Sequence, residues 1–551
     1  MKVNYQYASK SQVRSGSQST DVAFSPDTSR APTFFVGEVK EKRAFREAIS
    51  ALHDVVISDM RFVPRNRDEY KIWLAQEEER LLAEFVSRHG EVKEDLEAVK
   101  AELSSMGKAS SEIMAPFYKA QDQYFKYLYK HDMDAWYVLD PVITVHPDQV
   151  FFECFSEDES SYGKLSCNYD TFEHVSDKEY GTTNIDYSQG LYDEFQKIRD
   201  YRKTQLKVDP DGFNVQTGGS DAFEEKKIDL PDSWVRGFLQ VSSAMTLPMV
   251  KFCLHPMDIH NICALLKRKK ERVGPRSMRF ELVPNKPIQI VMEPWGDVVT
   301  CARSLYLGDE ARTIRTWGRR RILILERLLP IADSFDVCLL GDGMPSFYVA
   351  NMGGMTFTLG LSGWSANDWS AAGQFDLLAP RDTVDELTSQ RVYLALKETQ
   401  QESAASLASR LALDVSVVKS ALAQYSQLGQ VLYDLSLDVY RLRHLYNQPI
   451  ALEEIRFTNE REQKANNFVE ANLVSVTQLN QGAKGTEIIG LTLDNGKEFQ
   501  SKLRIDQDQR LVEGECQCHF WHSNKLRQGP CEHMLALRLQ ATREQHTEVT
   551  A

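Results

Sequence analysis

The sequence predicts an α+β protein of several domains, on three observations. Its 551 residues exceed what one hydrophobic core ordinarily serves, which leads us to expect three or four domains. Apolar residues recur at helical spacing in the N-terminal part, while the middle of the chain breaks into short β-branched runs separated by turn signals. The tail then gathers turn residues, alternating strands and a cluster of thiol and imidazole side chains within the last forty or so positions.

Six regions follow in order. Residues 1–35 are rich in Ser, Gln and Thr and lack an apolar signal core, so they read as a flexible arm. Region 36–135 is dominated by helix formers. Leu74, Leu81 and Phe85, then Val92, Leu96, Val99 and Leu103, fall on helical faces with Gly90 between them, which predicts amphipathic helices packed as a hairpin or against the body. Region 136–230 turns to strands at 142–145, 150–155 and 164–169. Acidic loops such as Glu157-Asp158-Glu159 and 221–225 follow, with an irregular connection over 207–220.

Region 231–381 mixes the two element types. Helices are predicted over 233–244, 258–270 and 318–330, and strands over 277–283, 288–293, 337–341, 346–350 and 356–361. Gly353-Gly354, between apolar runs, suits a buried hairpin whose glycines allow close backbone approach; a ligand-binding loop is the alternative. Of the two basic runs, 267–272 and Arg315 with 319–321, the first is read as a solvated helix end, because cations favour a helix C-terminus, with a nucleic-acid patch as the alternative.

Region 382–446 is better defined. A helix over 403–413, a turn at Asp414, a second helix over 416–428 stopped by Gly429, and strands at 431–433 and 439–443 together resemble a winged helix. As a reader of DNA it would offer only Lys419 with Gln424 and Gln427 on the second helix, and Arg441 and Arg443 on the wing. That set is poor for base recognition, so a structural or protein-docking role is favoured.

Region 447–546 carries the most specific signal. Asp494-Asn495-Gly496 between two β-rich runs predicts a tight hairpin. A further strand runs through Leu511 and Val512 into Cys516-Gln517-Cys518. A gap of twelve residues, ending in Gly529-Pro530, leads to Cys531-Glu532-His533, which opens a helix. Residues two apart on a strand share a face, so Cys516 and Cys518 can reach one ion. On a helix they diverge, so Cys531 must sit in the turn and His533 in the first helical turn. Three thiolates and one imidazole close a tetrahedral shell around one Zn2+, at roughly 2.3 Å and 2.0 Å, and leave no position for water. The zinc is therefore structural. Lys525 and Arg527 in the intervening loop are expected to offset the residual negative charge, and they double as candidate contacts to nucleic acid.

These ligands and their flanks, Gly529, Pro530, Met534, Leu535, Ala536 and Leu537, resemble the SWIM zinc finger, whose pattern is CxC, a variable gap, then CxH. The resemblance implies the ligand role for Cys516, Cys518, Cys531 and His533. SWIM modules are associated with both DNA and protein binding. With the stretch from Phe347 to Trp369 and the order of regions, the whole chain resembles a bacterial group of large SWIM proteins typically encoded beside MoxR-type AAA+ ATPases and von Willebrand A-type proteins. That likeness implies a non-catalytic adaptor or scaffold with an ATPase and a von Willebrand A-type protein as partners.

Composition bounds the function further. A net charge of −14 argues against a general polyanion binder, since phosphate affinity comes from displacing counterions with Lys and Arg. No run of eighteen apolar residues suggests a membrane span. The cysteines at 154, 167, 253, 263, 301 and 338 are dispersed through apolar surroundings, as expected of buried free thiols in a reducing cytoplasm. No GxxxxGK, HExxH or GxSxG pattern occurs, so no enzymatic activity is expected. A nucleic-acid-binding protein remains the alternative to the adaptor.

Overall fold

Five β-sheets organise the described residues of the chain, a computed structural model. Those residues are 34–58, 141–175, 178–184, 192, 195–201, 203–208, 232–270, 276–363, 368–370, 373–380, 384–445, 460–482 and 485–550, with strands also at 12–15 and 19–24. The helices expected around Leu74 to Leu103, and most of the connection over 207–220, lie outside them.

The largest sheet has eight strands in the spatial order Val250–Leu254, Ser334–Leu339, Ser346–Met352, Met355–Leu361, Ser161–Asn168, Gln149–Phe155, Val142–Val145 and Gly181–Asn184. Its centre pairs Phe357 with Leu165 and Leu359 with Gly163, so the segments expected as separate regions 136–230 and 231–381 share one antiparallel sheet. The Gly353-Gly354 turn closes the hairpin between the third and fourth of these strands, with Gly353 at φ +65°. The hairpin reading of this segment therefore agrees with the fold. Phe151, Phe152, Phe347, Phe357 and Leu359 are buried along these strands, and the helix Lys42–Val56 covers one face with Leu52 and Val55.

A four-stranded sheet (Asp297–Leu305, Pro287–Met292, Ser277–Leu282, Arg312–Trp317) adjoins the helix Pro256–Arg268. Lys267, Arg268 and Lys270 at that helix end are exposed, and the backbone carbonyls of Leu266 and Lys269 accept hydrogen bonds from Arg320, whereas Arg319 and Arg321 of the second basic run are buried. The sequence predicted a helix over 318–330, and a 3-10 helix spans Arg319–Leu328. Strands 250–254, 297–305 and 312–317 were not expected. The supposed arm is not wholly irregular either. Gln12–Ser15 pairs with Ser19–Phe24, which runs parallel to Lys203–Val208 in a five-stranded sheet.

Region 382–446 begins with a helix the sequence did not signal, Glu386–Thr399, capped by Asp385. The short strand Gln401–Glu402 and the helices Ala404–Leu411 and Val415–Gln427 follow. The strands Val431–Asp434 and Val439–Leu442 then complete a three-stranded sheet in which Val439–Leu442 is central. Ser403 caps the first of the paired helices through the Ser406 amide, and Gly429 at φ +69° ends the second.

The last sheet meanders through Val474–Gly482, Gly485–Asp494, Lys497–Ile505 and Leu511–Cys516. Asn495 and Gly496, both at positive φ, make the expected tight turn. The helices Glu460–Glu470 and Glu532–Thr550 pack together against this sheet. Among the described residues no helix is long and apolar enough to cross a membrane.

Candidate metal centre

The tail places all four expected ligands together. Cys516 ends the strand Leu511–Cys516, Cys518 precedes the short helix His519–Asn524, Cys531 lies in the turn, and His533 occupies the first turn of Glu532–Thr550. Their Sγ and ring nitrogen atoms lie within 4.8 Å of one another and all four residues are buried. The Cys516 Sγ to His533 Nδ1 separation is 3.7 Å, the edge expected of a tetrahedron with bonds of roughly 2.0–2.3 Å. His519 and His522 are not part of the cluster.

One local expectation is corrected. Cys516 and Cys518 do not share the face of one strand. The strand ends at Cys516 and Cys518 caps the following helix, its sulfur accepting from the Trp521 amide at 3.4 Å.

The groups around the cluster fit a bound cation. Cys516 Sγ accepts from the Ser501 hydroxyl at 3.3 Å and from the Cys518 amide at 3.4 Å. His533 Nε2 faces Asp494 Oδ2 at 3.4 Å, which leaves Nδ1 toward the thiols. A carboxylate in that place fixes ring orientation and raises ligand basicity. The imidazole is further stacked between Phe499 and Phe468, at 4.5 Å and 5.8 Å between ring centroids. Sequence reasoning read Asp494 only as a turn residue and missed Ser501, Phe468 and Phe499. No local pattern marks them, because each reaches the site through sheet register or helix packing.

With protons in place of a metal, the quartet shares them unequally. Hydrogen bonds with Cys518 and Cys531 push the Cys516 thiol far below its usual value, and the contact with Cys516 pushes Cys531 up. Burial pulls His533 down, but hydrogen bonding with Cys516 and Cys518 outweighs it and raises the imidazole to about 10. A divalent cation would displace these protons, so its binding should release them and strengthen as pH rises.

Lys525 and Arg527 both sit against aromatic rings. Lys525 Nζ sits 3.5 Å over the Trp521 ring and Arg527 lies over Trp317 at 5.3 Å. Arg461 interacts with Cys531 and also donates to the carbonyls of Gln528 at 2.9 Å and Pro530 at 2.8 Å and to the Gln374 side chain. Arg538 joins the helix Glu532–Thr550 to the carbonyls of Leu377, Ala379 and Gln509. Gly529, at φ +84°, lies so close to the Gln374 carbonyl that a Cβ there would sit 2.5 Å from its oxygen. The second ligand pair is thus seated directly against the segment 374–379.

The other candidate cations for nucleic acid are occupied internally. Arg441 is fully buried between Asp434 at 2.8 Å and Asp148 at 2.7 Å, while Lys164 pairs with Asp434 at 3.0 Å. Arg443 is buried against Glu153 at 2.7 Å, and the Tyr162 hydroxyl donates to the same carboxylate. Both arginines look wing-like in sequence because strand alternation cannot distinguish a solvent face from a face packed on another sheet. Lys419, half-buried, pairs with Asp508 at 2.6 Å.

No known family model matches the chain and no curated protein does. Among solved structures, Proliferating Cellular Nuclear Antigen from Entamoeba histolytica is similar at 10% identity and a TM-score of 0.29, over 41% of this chain and 89% of that one. So slight a likeness carries no functional argument.

Proposed function

We propose that the chain is a zinc-fastened, non-catalytic adaptor that works through protein contacts. In this reading the tail is a SWIM-type finger, region 382–446 is a winged-helix-like module used for docking, and the ion held by Cys516, Cys518, Cys531 and His533 is one structural Zn2+. The carrying observation is the seating of the second ligand pair on the body through Arg461, Arg538 and Gly529. A metal there orders an internal joint. The burial of Arg441 and Arg443 in ion pairs supports the adaptor over the nucleic-acid reading, because neither can meet a phosphate without breaking a buried pair.

From the resemblance, the partner would be a MoxR-type ATPase, with a von Willebrand A-type protein in the same cytoplasmic assembly. Purification of the tagged chain from its native cell, with nuclease treatment, tests this. An ATPase retained after nuclease and absent from a chain bearing Cys531→Ser supports the adaptor. Recovery of nucleic acid with no protein, together with a salt-dependent shift of DNA mobility, overturns it.

A further inference from the structure

Three leucines left uncovered by other described residues converge on one groove. Leu305 is 51%, Leu307 78% and Leu437 52% exposed, and exposed apolar side chains that cluster mark interaction surfaces more often than single ones do. Leu305 and Leu307 leave the edge strand of the four-stranded sheet, whereas Leu437 sits in the turn after Val431–Asp434. Between them lies a groove of about 490 Å³. Its floor is set by register: Lys251 pairs with Cys338, Cys253 with Asp336, and Asp336 with Val349, so these side chains share one face of the eight-stranded sheet.

Two further features select the occupant. Val250–Leu254 is the outermost strand of that sheet, and among the described residues no strand pairs with its far side. An open edge presents a row of amides and carbonyls to an added strand. The charged side chains lining this groove are Asp336 and Asp438 against Lys251, an excess of one carboxylate that complements a basic residue.

We propose that this groove binds an extended segment of a partner protein. Its backbone adds to the edge of Val250–Leu254, its apolar side chains lie between Leu305, Leu307 and Leu437, and a Lys or Arg meets Asp336 and Asp438. The inference rests on the adaptor reading and locates its docking surface where the turn 435–438 of region 382–446 meets the eight-stranded sheet.

The test uses the full-length, zinc-loaded chain and a phage library of random dodecapeptides. Selection should enrich alternating apolar residues with a nearby Lys or Arg. A fluorescein-labelled copy of the enriched peptide should bind at least tenfold more weakly to Leu307→Glu and Leu437→Glu, both surface changes that leave the core intact. Bound peptide should also slow iodoacetamide modification of Cys253, the exposed thiol on the groove floor. No enrichment, an acidic consensus, or binding indifferent to both leucine changes overturns the proposal. A concentration-dependent dimer abolished by Leu307→Glu would overturn it too, assigning the groove to a second copy of the chain. If these variants still co-purify with the native partner, the groove is wrong and the adaptor stands; if no protein co-purifies with the unaltered chain, the adaptor reading itself fails.

Discussion

His533 is held on three sides, by Asp494 behind the ring and by Phe468 and Phe499 on its faces, so its ligand nitrogen is oriented before any ion arrives. Removing the carboxylate charge should lower metal affinity without unfolding the tail. Asp494→Asn is expected to weaken zinc binding by about 10–100-fold in competition with a chromophoric chelator. At the buried ion-pair network, His146 has its pKa lowered, first by burial and also by Arg441, against the opposing pull of Asp148. A base whose folded pKa lies below its unfolded value contributes stability that is complete above roughly pH 6.5 and lost as pH falls through the folded value. Asp434 is held far below the usual carboxylate range: burial would raise it, but Lys164 and Arg441 prevail. Its contribution is present above roughly pH 4 and lost only in stronger acid. Denaturant titration should therefore show a first loss below about pH 6.5 that His146→Gln removes, well before the carboxylate loss.

Among the elements, the turn 525–530 bears the joint between finger and body. Gly529→Ala places a Cβ against the Gln374 carbonyl and demands a left-handed backbone from alanine, so it should cost about 1–3 kcal/mol, read as a lowered unfolding midpoint of the zinc-loaded chain. Local chemistry made several elements legible. Asn495-Gly496, Gly353-Gly354 and Gly429 each mark a turn or helix end by a requirement of their own backbone. Strands Val250–Leu254, Asp297–Leu305 and Arg312–Trp317 escaped notice because they are edge strands whose exposed positions carry Lys251, Arg303 and Arg312 and leave no apolar run. The helix Glu386–Thr399 escaped for a related reason: Leu387 and Leu394 face outward while Val392 and Leu396 are buried, so no single apolar stripe stands out. Of the metal site, the four donors were legible as a spaced motif, whereas Asp494, Phe499 and Phe468 reach His533 from 39, 34 and 65 residues away in the chain.

Among the described residues, distant segments are tied together by contacts, which is why the layers could not be read along the chain. The eight-stranded sheet draws strands from 142–184 and 250–361, and the module 382–446 is pinned to it by Arg441 with Asp148 and Arg443 with Glu153. Breaking one partner of such a buried pair should cost about 3–5 kcal/mol, whereas replacing both by apolar residues of similar volume should cost much less. Glu153→Gln compared with Glu153→Leu combined with Arg443→Met, in equilibrium unfolding, tests that asymmetry. The dispersed cysteines also sort at this scale: 154, 167, 263, 301 and 338 are buried as expected, and Cys253 is exposed, contrary to expectation.

The central claim is that one ion closes the tail onto the body. X-ray absorption at the zinc edge of the purified full-length chain, with metal content measured on the same sample, tests it most directly. The account predicts one zinc per chain with three sulfur neighbours at roughly 2.3 Å and one nitrogen at roughly 2.0 Å, and loss of a sulfur in Cys531→Ser. A chain carrying no stoichiometric metal, or a shell of oxygen donors, would contradict it.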